Sequence, residues 1–327
     1  MRPAPVLMGV KVYNHAMSST LTSSSPARQA FLGGLLIAVI GAILFSAKAI
    51  VAKLMYRYHV DAVMVLTLRM IFAFPMFAAV AIWKARTEPA LSRSDYLRIA
   101  LLGLIGYYLS SFLDFLGLQY ISAGLERLIL FLTPSFVLLI SFFFYKRKVG
   151  WIEWSALLVS YLGTALVLAH DIKTGGSNVP LGSLLVLGAA MTYALYLIFS
   201  GELVRRVGAI RLVAYAMCMS TVACLIQFFV LREPAALVQP FEVYQLSLIN
   251  AVFCTVLPVF LTMIAVARIG APTAAQAGLV GPVSTLFMGA VLLDEPITAI
   301  QLVGTALVLS GIYLLSRKKN LSLNPRR

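Results

Sequence analysis

The sequence has little charge and few of the residues that metal or disulfide chemistry needs. Asp, Glu, Lys and Arg make up 12% of the 327 residues, against roughly 25% in ordinary soluble domains. Three Cys show no metal spacing, three His lie far apart, and there is no Walker loop, HExxH or acidic pair typical of a membrane enzyme. We therefore expect no disulfide framework, metal site, ATP motor, cofactor or catalytic residue.

The sequence is instead rich in long apolar runs. Hydrophobic residues make up 61% of the chain. A membrane-spanning helix needs about 20 mostly apolar residues, and the sequence predicts an all-α integral membrane protein with ten such helices joined by short turns. The predicted spans are 33–55, 63–84, 97–119, 122–145, 152–170, 180–201, 211–231, 244–267, 272–293 and 297–316.

Polar tails flank the predicted spans. Residues 1–30 are Ser-rich and contain three Pro, so we expect a disordered cytoplasmic tail there. Met17 offers an alternative start, so the sequence leaves open whether residues 1–16 are native. Residues 317–327 form a second, basic cytoplasmic tail.

The net charge of +14 is distributed unevenly between the two predicted sides of the membrane. If the N-terminus is inside, 19 of the 26 Lys and Arg lie in inside segments. This bias predicts a multi-pass protein of the inner (plasma) membrane with both termini cytoplasmic. We interpret the basic turns as membrane anchors, with no nucleic-acid partner.

The chain repeats itself with a shift of 148 positions. Pro134 falls on Pro282 and Leu138 on Leu286 without a gap. Five helices, residues 31–170, are thus followed by five related helices, residues 180–316. Because five is odd, we expect the second set to cross the membrane in the opposite sense, as in carriers whose substrate site lies between inverted repeats.

Several motifs resemble a known family. The segments "QYISAG…LTPSF" and "ARIGAP…VGPVS", the turn "LLDEPIT" and "LVGTALVLSGIYLL" look like EamA-type members of the drug/metabolite transporter superfamily. The resemblance implies a secondary transporter of small polar metabolites, often an amino-acid exporter, with the fifth and tenth helices outside the central cavity. The chain departs from the family at 146–148, where three basic residues replace a frequent acidic one.

Five charged residues lie well inside the predicted spans: Lys48, Arg69, Asp114, Glu126 and Arg127. A charge at mid-membrane costs about 2.5–3.5 kcal/mol on insertion scales, so each is a candidate for function. All five belong to the first half and are expected in its outer part, about 6–11 Å from the boundary at 1.5 Å per residue. Their partners at +148 are uncharged: Tyr196, Met217, Thr262, Ala274 and Ala275.

Glu126 and Arg127 are adjacent and point about 100° apart, so their partners must come from other helices. We expect Glu126 to pair with Lys48 or Arg69, and Arg127 with Asp114, leaving one positive charge over. Three interpretations stay open: a substrate site for an anionic group, a closed structural ion network, and a proton-coupling site. An Arg in the second helix is common in the resembled family, which favours a structural role for Arg69 and places Lys48 and Arg127 closer to the substrate.

Polar residues on other predicted helices complete the candidate site. Tyr107, Tyr196, Asn250 and Gln276 are expected to line a cavity, although each could instead join helices. Pro134 and Pro282 are candidate hinges, with static kinks as the alternative.

The sequence thus predicts a secondary active transporter that works by alternating access, most simply as an exporter of amino acids or related compounds. The alternatives are a channel or scramblase and, further off, a membrane enzyme. The expected partners are a small polar metabolite and the lipid bilayer, with proton coupling and a homodimer left open. Substrate, direction and coupling ion are not encoded in any motif that we recognise.

Overall fold

The computed structural model describes residues 26–146, 149–174 and 178–323. Within these ranges the chain is helical and contains no β-strand. The helices, numbered first to tenth in chain order, are Pro26–Tyr56, Ala62–Thr87, Arg93–Leu118, Ala123–Tyr145, Trp151–Thr174, Val179–Val207, Ala209–Leu231, Phe241–Gly270, Thr273–Leu292 and Ala299–Leu323.

Nine helices among the described residues are long and apolar enough to cross a membrane. The apolar part of the tenth, Ala299–Leu315, is shorter. The prediction of an all-helical membrane protein is confirmed in this form. A tenth span and the opposite sense of the second repeat stay predictions.

The helical ends differ from the predicted tails. The first helix begins at Pro26 and the tenth continues to Leu323, so both extend into ranges assigned to tails. Pro26 suits a first turn, where its missing N–H would have no helical partner. Residues 1–25 and 324–327 lie outside the described residues, so disorder there stays a prediction.

Local sequence signals set several helix boundaries. Asp61, Ser92 and Ser122 cap the second, third and fourth helices, each accepting a hydrogen bond from a backbone N–H of the first turn. Gly208 (φ 85°) separates the sixth helix from the seventh, and Gly270 (φ 78°) ends the eighth. Glycine adopts this left-handed conformation without a steric penalty.

Helix boundaries support the repeat. The α-helical segment Arg93–Gly103 of the third helix corresponds to Phe241–Ala251 of the eighth, with both ends offset by 148 positions. Each segment continues into a π-helical turn, Leu104–Leu109 and Val252–Val256, whose starts show the same offset. A π-helical turn is rare, so its recurrence at matched positions favours a duplicated fold.

The fourth and ninth helices carry matched interruptions. The fourth consists of Ala123–Leu130 and Thr133–Tyr145, and Pro134 lies in the first turn of the second piece. The ninth is interrupted at Gly278, and its second piece contains Pro282. Both proline candidates therefore follow a break in the helix. Whether the breaks act as hinges stays a prediction.

The largest cluster of buried apolar side chains joins the first, second, third, sixth, seventh and eighth helices. The fifth and tenth helices pack mainly against each other. They approach closely at Gly163 and Gly304, where a Cβ on Gly163 would lie 2.6 Å from the Gly304 carbonyl oxygen. This core therefore packs together the helices that carry most of the candidate site.

Candidate functional site

A cavity of about 450 Å³ lies within the bundle. Its described lining residues come from the first four helices and from the sixth, seventh and eighth. None belongs to the fifth or tenth helix, in agreement with the family resemblance. Pockets for small ligands measure about 300–1,000 Å³, so the size suits a metabolite. Six of the predicted site residues line it: Lys48, Arg69, Tyr107, Asp114, Arg127 and Pro134.

Lys48 has two acidic neighbours. Its Nζ lies 2.5 Å from Asp114 Oδ2 and 3.8 Å from Glu126 Oε1. All three side chains are buried. The Lys48 ammonium therefore forms a direct ion pair with Asp114 and a longer one with Glu126. The prediction that Glu126 pairs with Lys48 agrees with this geometry.

Glu126 is fully buried, at 0% exposure, and its carboxyl group faces that of Asp114. Neither Glu126 oxygen accepts a hydrogen bond from a donor of the described residues, although Oε1 lies within ion-pair distance of Lys48 Nζ. Asp114 Oδ1 likewise has no donor among the described residues. The two acids therefore share one cation, Lys48.

Arg127 does not pair with Asp114, and this part of the predicted arrangement is wrong. Its Nη2 donates to Ser46 Oγ at 3.0 Å, and its guanidinium lies 5.1 Å from the ring centre of Phe45 and 5.2 Å from that of Phe131. Lys48 of the first helix pairs with Asp114 instead, and Arg127 binds Ser46 of that same helix.

The path of Arg127 depends on a glycine of the other repeat. A Cβ on Gly281 would lie 2.7 Å from Arg127 Nη2 and 3.0 Å from Ser46 Oγ. Any larger residue would press on the guanidinium. The second repeat thus contributes space, while the first contributes charge.

Arg69 has no carboxylate partner among the described residues. Its guanidinium lies 4.8 Å from the ring centre of Phe115, and its Nε has no hydrogen-bond partner. Arg69 and Arg127 are each 5% exposed, so both are buried cations that line the cavity without an ion pair. Of the three basic residues, Lys48 alone has carboxylate partners among the described residues. The roles predicted for Lys48 and Arg69 stay predictions.

The aromatic neighbours were missing from the sequence-based site. Lys48 also lies 5.3 Å from the Phe45 ring centre and 5.5 Å from that of Phe115. Two of these rings carry a sequence signal, because Phe45 precedes Lys48 by three positions and Phe131 follows Arg127 by four. Such spacings place side chains on one helical face.

Tyr107 and Tyr196 join the two repeats beside the cavity. Their hydroxyl oxygens lie 3.2 Å apart, and their rings meet edge to face with centres 5.0 Å apart. Tyr107 lines the cavity, and Tyr196 is buried behind it against Tyr193. The predicted tyrosines are therefore brought together.

Five predicted residues do not line the cavity: Glu126, Tyr196, Asn250, Gln276 and Pro282. Asn250 is fully buried, and neither of its side-chain polar atoms has a partner among the described residues. It belongs to the packed part of the eighth helix, one turn before the cavity-lining Cys254.

Ion pairs connect the repeats at both ends of the bundle. At the end where the first helix stops, Lys53 Nζ contacts Glu295 Oε1 at 2.6 Å, and Asp61 pairs with Arg232. At the other end, Arg206 pairs with Asp95, and Arg211 Nη1 lies 3.5 Å from Glu88 Oε2. Each pair takes one residue from each half of the chain.

Comparisons with known proteins agree with this architecture. Residues 32–169 and 180–317 each match the model of the EamA-like transporter family. The chain is 31% identical over 283 residues to the uncharacterized transporter YcbK of Bacillus subtilis (strain 168), covering 83% of this chain and 88% of that protein.

A second relative has a more specific name. The chain is 27% identical over 230 residues to a probable terminal-alkyne amino-acid exporter of Streptantibioticus cattleyicolor, covering 68% of this chain and 74% of that protein. One solved crystal structure has a similar fold, with a TM-score of 0.61 and 16% identity over 88% of this chain and 98% of that chain.

Proposed function

Because the chain belongs to the EamA-like transporter family, and is thus a multi-pass membrane transporter of a small molecule, we propose a more specific function. It is a secondary active transporter that exports small polar metabolites carrying a carboxylate, such as amino acids. The observation that carries this proposal is a cavity lined by two guanidinium groups for which the described residues supply no carboxylate partner. The relative named as a probable terminal-alkyne amino-acid exporter supports the substrate class.

Arg69 and Arg127 are the residues we assign to the anionic group. A buried charge without a counter-charge is unfavourable by several kcal/mol, and a carboxylate ligand removes that penalty. The planar guanidinium also matches the two oxygens of a carboxylate. Lys48 is occupied by Asp114 and Glu126, so we assign it a supporting role.

The remaining polar groups suit a zwitterion. Asp114 lines the cavity and keeps one carboxylate oxygen without a partner. An ammonium group can donate to that oxygen while Tyr107 packs against the side chain of the ligand. This arrangement favours substrates with both charges over simple anions.

Alternating access is the mechanism we assign. The ion pairs at the two ends all connect one repeat to the other, so rocking of the repeats must open one end while the other stays paired. The breaks before Pro134 and Pro282 give both repeats a matched bending point. In this account the protein lies in the inner membrane with both termini cytoplasmic.

Proton coupling is part of the same proposal and falls on the acidic pair. Glu126 is fully buried, its carboxyl group faces that of Asp114, and Lys48 Nζ lies 3.8 Å from its Oε1. If the pair carries the proton, Glu126→Gln and Asp114→Asn keep exchange but lose accumulation driven by a pH gradient. Unchanged accumulation in both variants would contradict this part.

Counterflow in proteoliposomes tests the function. We expect saturable uptake of radiolabelled L-amino acids that is accelerated by the same compound inside, and a loss of at least tenfold in apparent affinity in Arg127→Met. Flux that does not saturate would favour the channel or scramblase alternative. Chemical conversion of the added compound would favour the enzyme.

A further inference from the structure

The three basic residues of the site alternate with aromatic rings. Lys48 lies near the rings of both Phe45 and Phe115, Arg127 near Phe45, and Arg69 near Phe115. The rings therefore connect the paired cation, Lys48, to the two unpaired ones. No carboxylate of the described residues forms an ion pair with Arg69 or Arg127.

A ring and a carboxylate hold a guanidinium in different ways. A carboxylate binds the N–H groups at the edge of the guanidinium plane, so it uses the donors that a ligand would need. An aromatic ring attracts a cation through the negative charge on its face and takes up none of those donors. A guanidinium held by a ring alone keeps its edge free for an anion.

Phe115 is the ring for which this difference is clearest. It is fully buried and does not line the cavity, whereas Arg69, which it contacts, does. Its backbone is fixed as well, because the Tyr56 hydroxyl donates to the Phe115 carbonyl oxygen at 2.6 Å. Any effect of this ring on a ligand must therefore pass through the cations beside it.

We propose that Phe115 is a positioning residue that holds Arg69 by its ring and keeps the guanidinium edge available for the carboxylate of the substrate. This inference rests on the proposed function. Asp114, which is adjacent to Phe115 in the chain, has a carboxylate oxygen, Oδ1, that no donor of the described residues binds. A guanidinium that turned toward Asp114 would be neutralised and lost to the ligand.

The second repeat supports a special role for this ring. The residue at +148 from Phe115 is Met263, and the one from Arg69 is Met217, so the cation and its ring are both absent there. Both methionines line the cavity. The pair of cation and ring thus belongs to one repeat and is not required by the fold that the two repeats share.

The test compares Phe115→Leu with Phe228→Leu. Phe228 is also fully buried, and its ring contacts Phe229 but no Lys or Arg of the described residues. The probes are L-alanine, L-leucine and L-phenylalanine, each beside its C-terminal amide, which keeps the ammonium group but lacks the carboxylate. Dissociation constants are measured by thermal stabilisation of the purified protein in detergent.

We expect Phe115→Leu to weaken binding of the acids about 3- to 30-fold, the range of a desolvated cation–ring contact, and to leave the amides unchanged. Phe228→Leu lowers the melting temperature but keeps the preference for acid over amide. Equal affinities in Phe115→Leu and the wild type, or an equal loss in Phe228→Leu, would overturn the inference.

Two further readouts keep the test decisive. Fluorinated phenylalanine at position 115 preserves shape while it weakens the charge on the ring face, so acid affinity should fall with each added fluorine even if Phe115→Leu does not fold. A flat series contradicts the inference. If the wild type binds no acid better than its amide, the proposed function itself fails; if that preference exists and Phe115→Leu keeps it, only the role of Phe115 fails.

Discussion

The two repeats share their helix boundaries but contribute different chemistry to the cavity. The first repeat supplies every charged lining residue, Lys48, Arg69, Asp114 and Arg127. The second supplies Tyr193, Thr262 and other uncharged groups, with Gly281 leaving space for Arg127. The fold that the two repeats share therefore does not require both copies to carry the same chemistry, because the charged lining residues belong to one copy.

The largest expected effect concerns the orientation of the two repeats in the membrane. If they cross it in opposite senses, matched positions react with a labelling reagent from opposite sides only. Val149 and Ile297 occupy turns at positions related by the shift of 148. In a cysteine-free background, we expect Val149→Cys to react with a membrane-impermeant maleimide only from the cytoplasm, and Ile297→Cys only from outside. Reaction of both sites from the same side would contradict the inverted repeat.

The next largest effect concerns the buried ion pair of the first repeat. Lys48→Met alone should lower the free energy of unfolding by about 3–5 kcal/mol, because it leaves Asp114 and Glu126 buried without their cation. Asp114→Leu should cost less, because Glu126 still faces Lys48, and the double variant should recover part of the loss. The corresponding positions at +148 are Tyr196 and Thr262. There, the losses in the free energy of unfolding caused by Tyr196→Phe and Thr262→Val should be additive.

Unfolding measurements in mixed micelles give both double-mutant cycles. A coupling of similar size in the two pairs would remove the distinction between the repeats. Additive effects in the first pair would show that Lys48 and Asp114 are not paired in the folded protein.

A smaller effect is expected where the repeats meet. Tyr107→Phe and Tyr196→Phe each remove one partner of the hydroxyl contact, and each should cost about 0.5–1.5 kcal/mol, the net worth of one hydrogen bond. Melting temperatures of the single and double variants should show that the second substitution costs nothing further. Fully additive losses would indicate that the two hydroxyls have separate partners.

Much of the architecture could be predicted from the sequence because it depends on local signals. Apolar runs of span length and glycine or cap residues at their ends define the helices, and the shift from Pro134 to Pro282 reveals the repeat. The boundaries at Pro26 and Leu323 were missed because hydropathy follows the apolar core, whereas a helix can continue into polar sequence.

The sequence predicts which charged residues belong to the candidate site better than it predicts which of them form ion pairs. The cost of burying charge identifies Lys48, Arg69 and Arg127 from sequence alone. Which of them meets Asp114 depends on the distance and direction of approach between helices, and the sequence contains neither. Phe115 was missed for the same reason, since its role comes from a neighbour on another helix.

The central claim is that the unpaired guanidiniums of the first repeat recognise a carboxylate. Its most direct test is the affinity of Arg69→Met and Arg127→Met for L-leucine and for L-leucine amide, with the exposed Arg98→Met as the control. We predict that each cavity variant loses about 10- to 100-fold for the acid, as expected when a hydrogen bond to a charged group worth about 1.5–3 kcal/mol is removed. The amide should bind as before and the melting temperature should not fall, because neither arginine leaves an unpaired carboxylate behind. An unchanged preference for the acid together with a lower melting temperature would contradict the account and show that both arginines are structural.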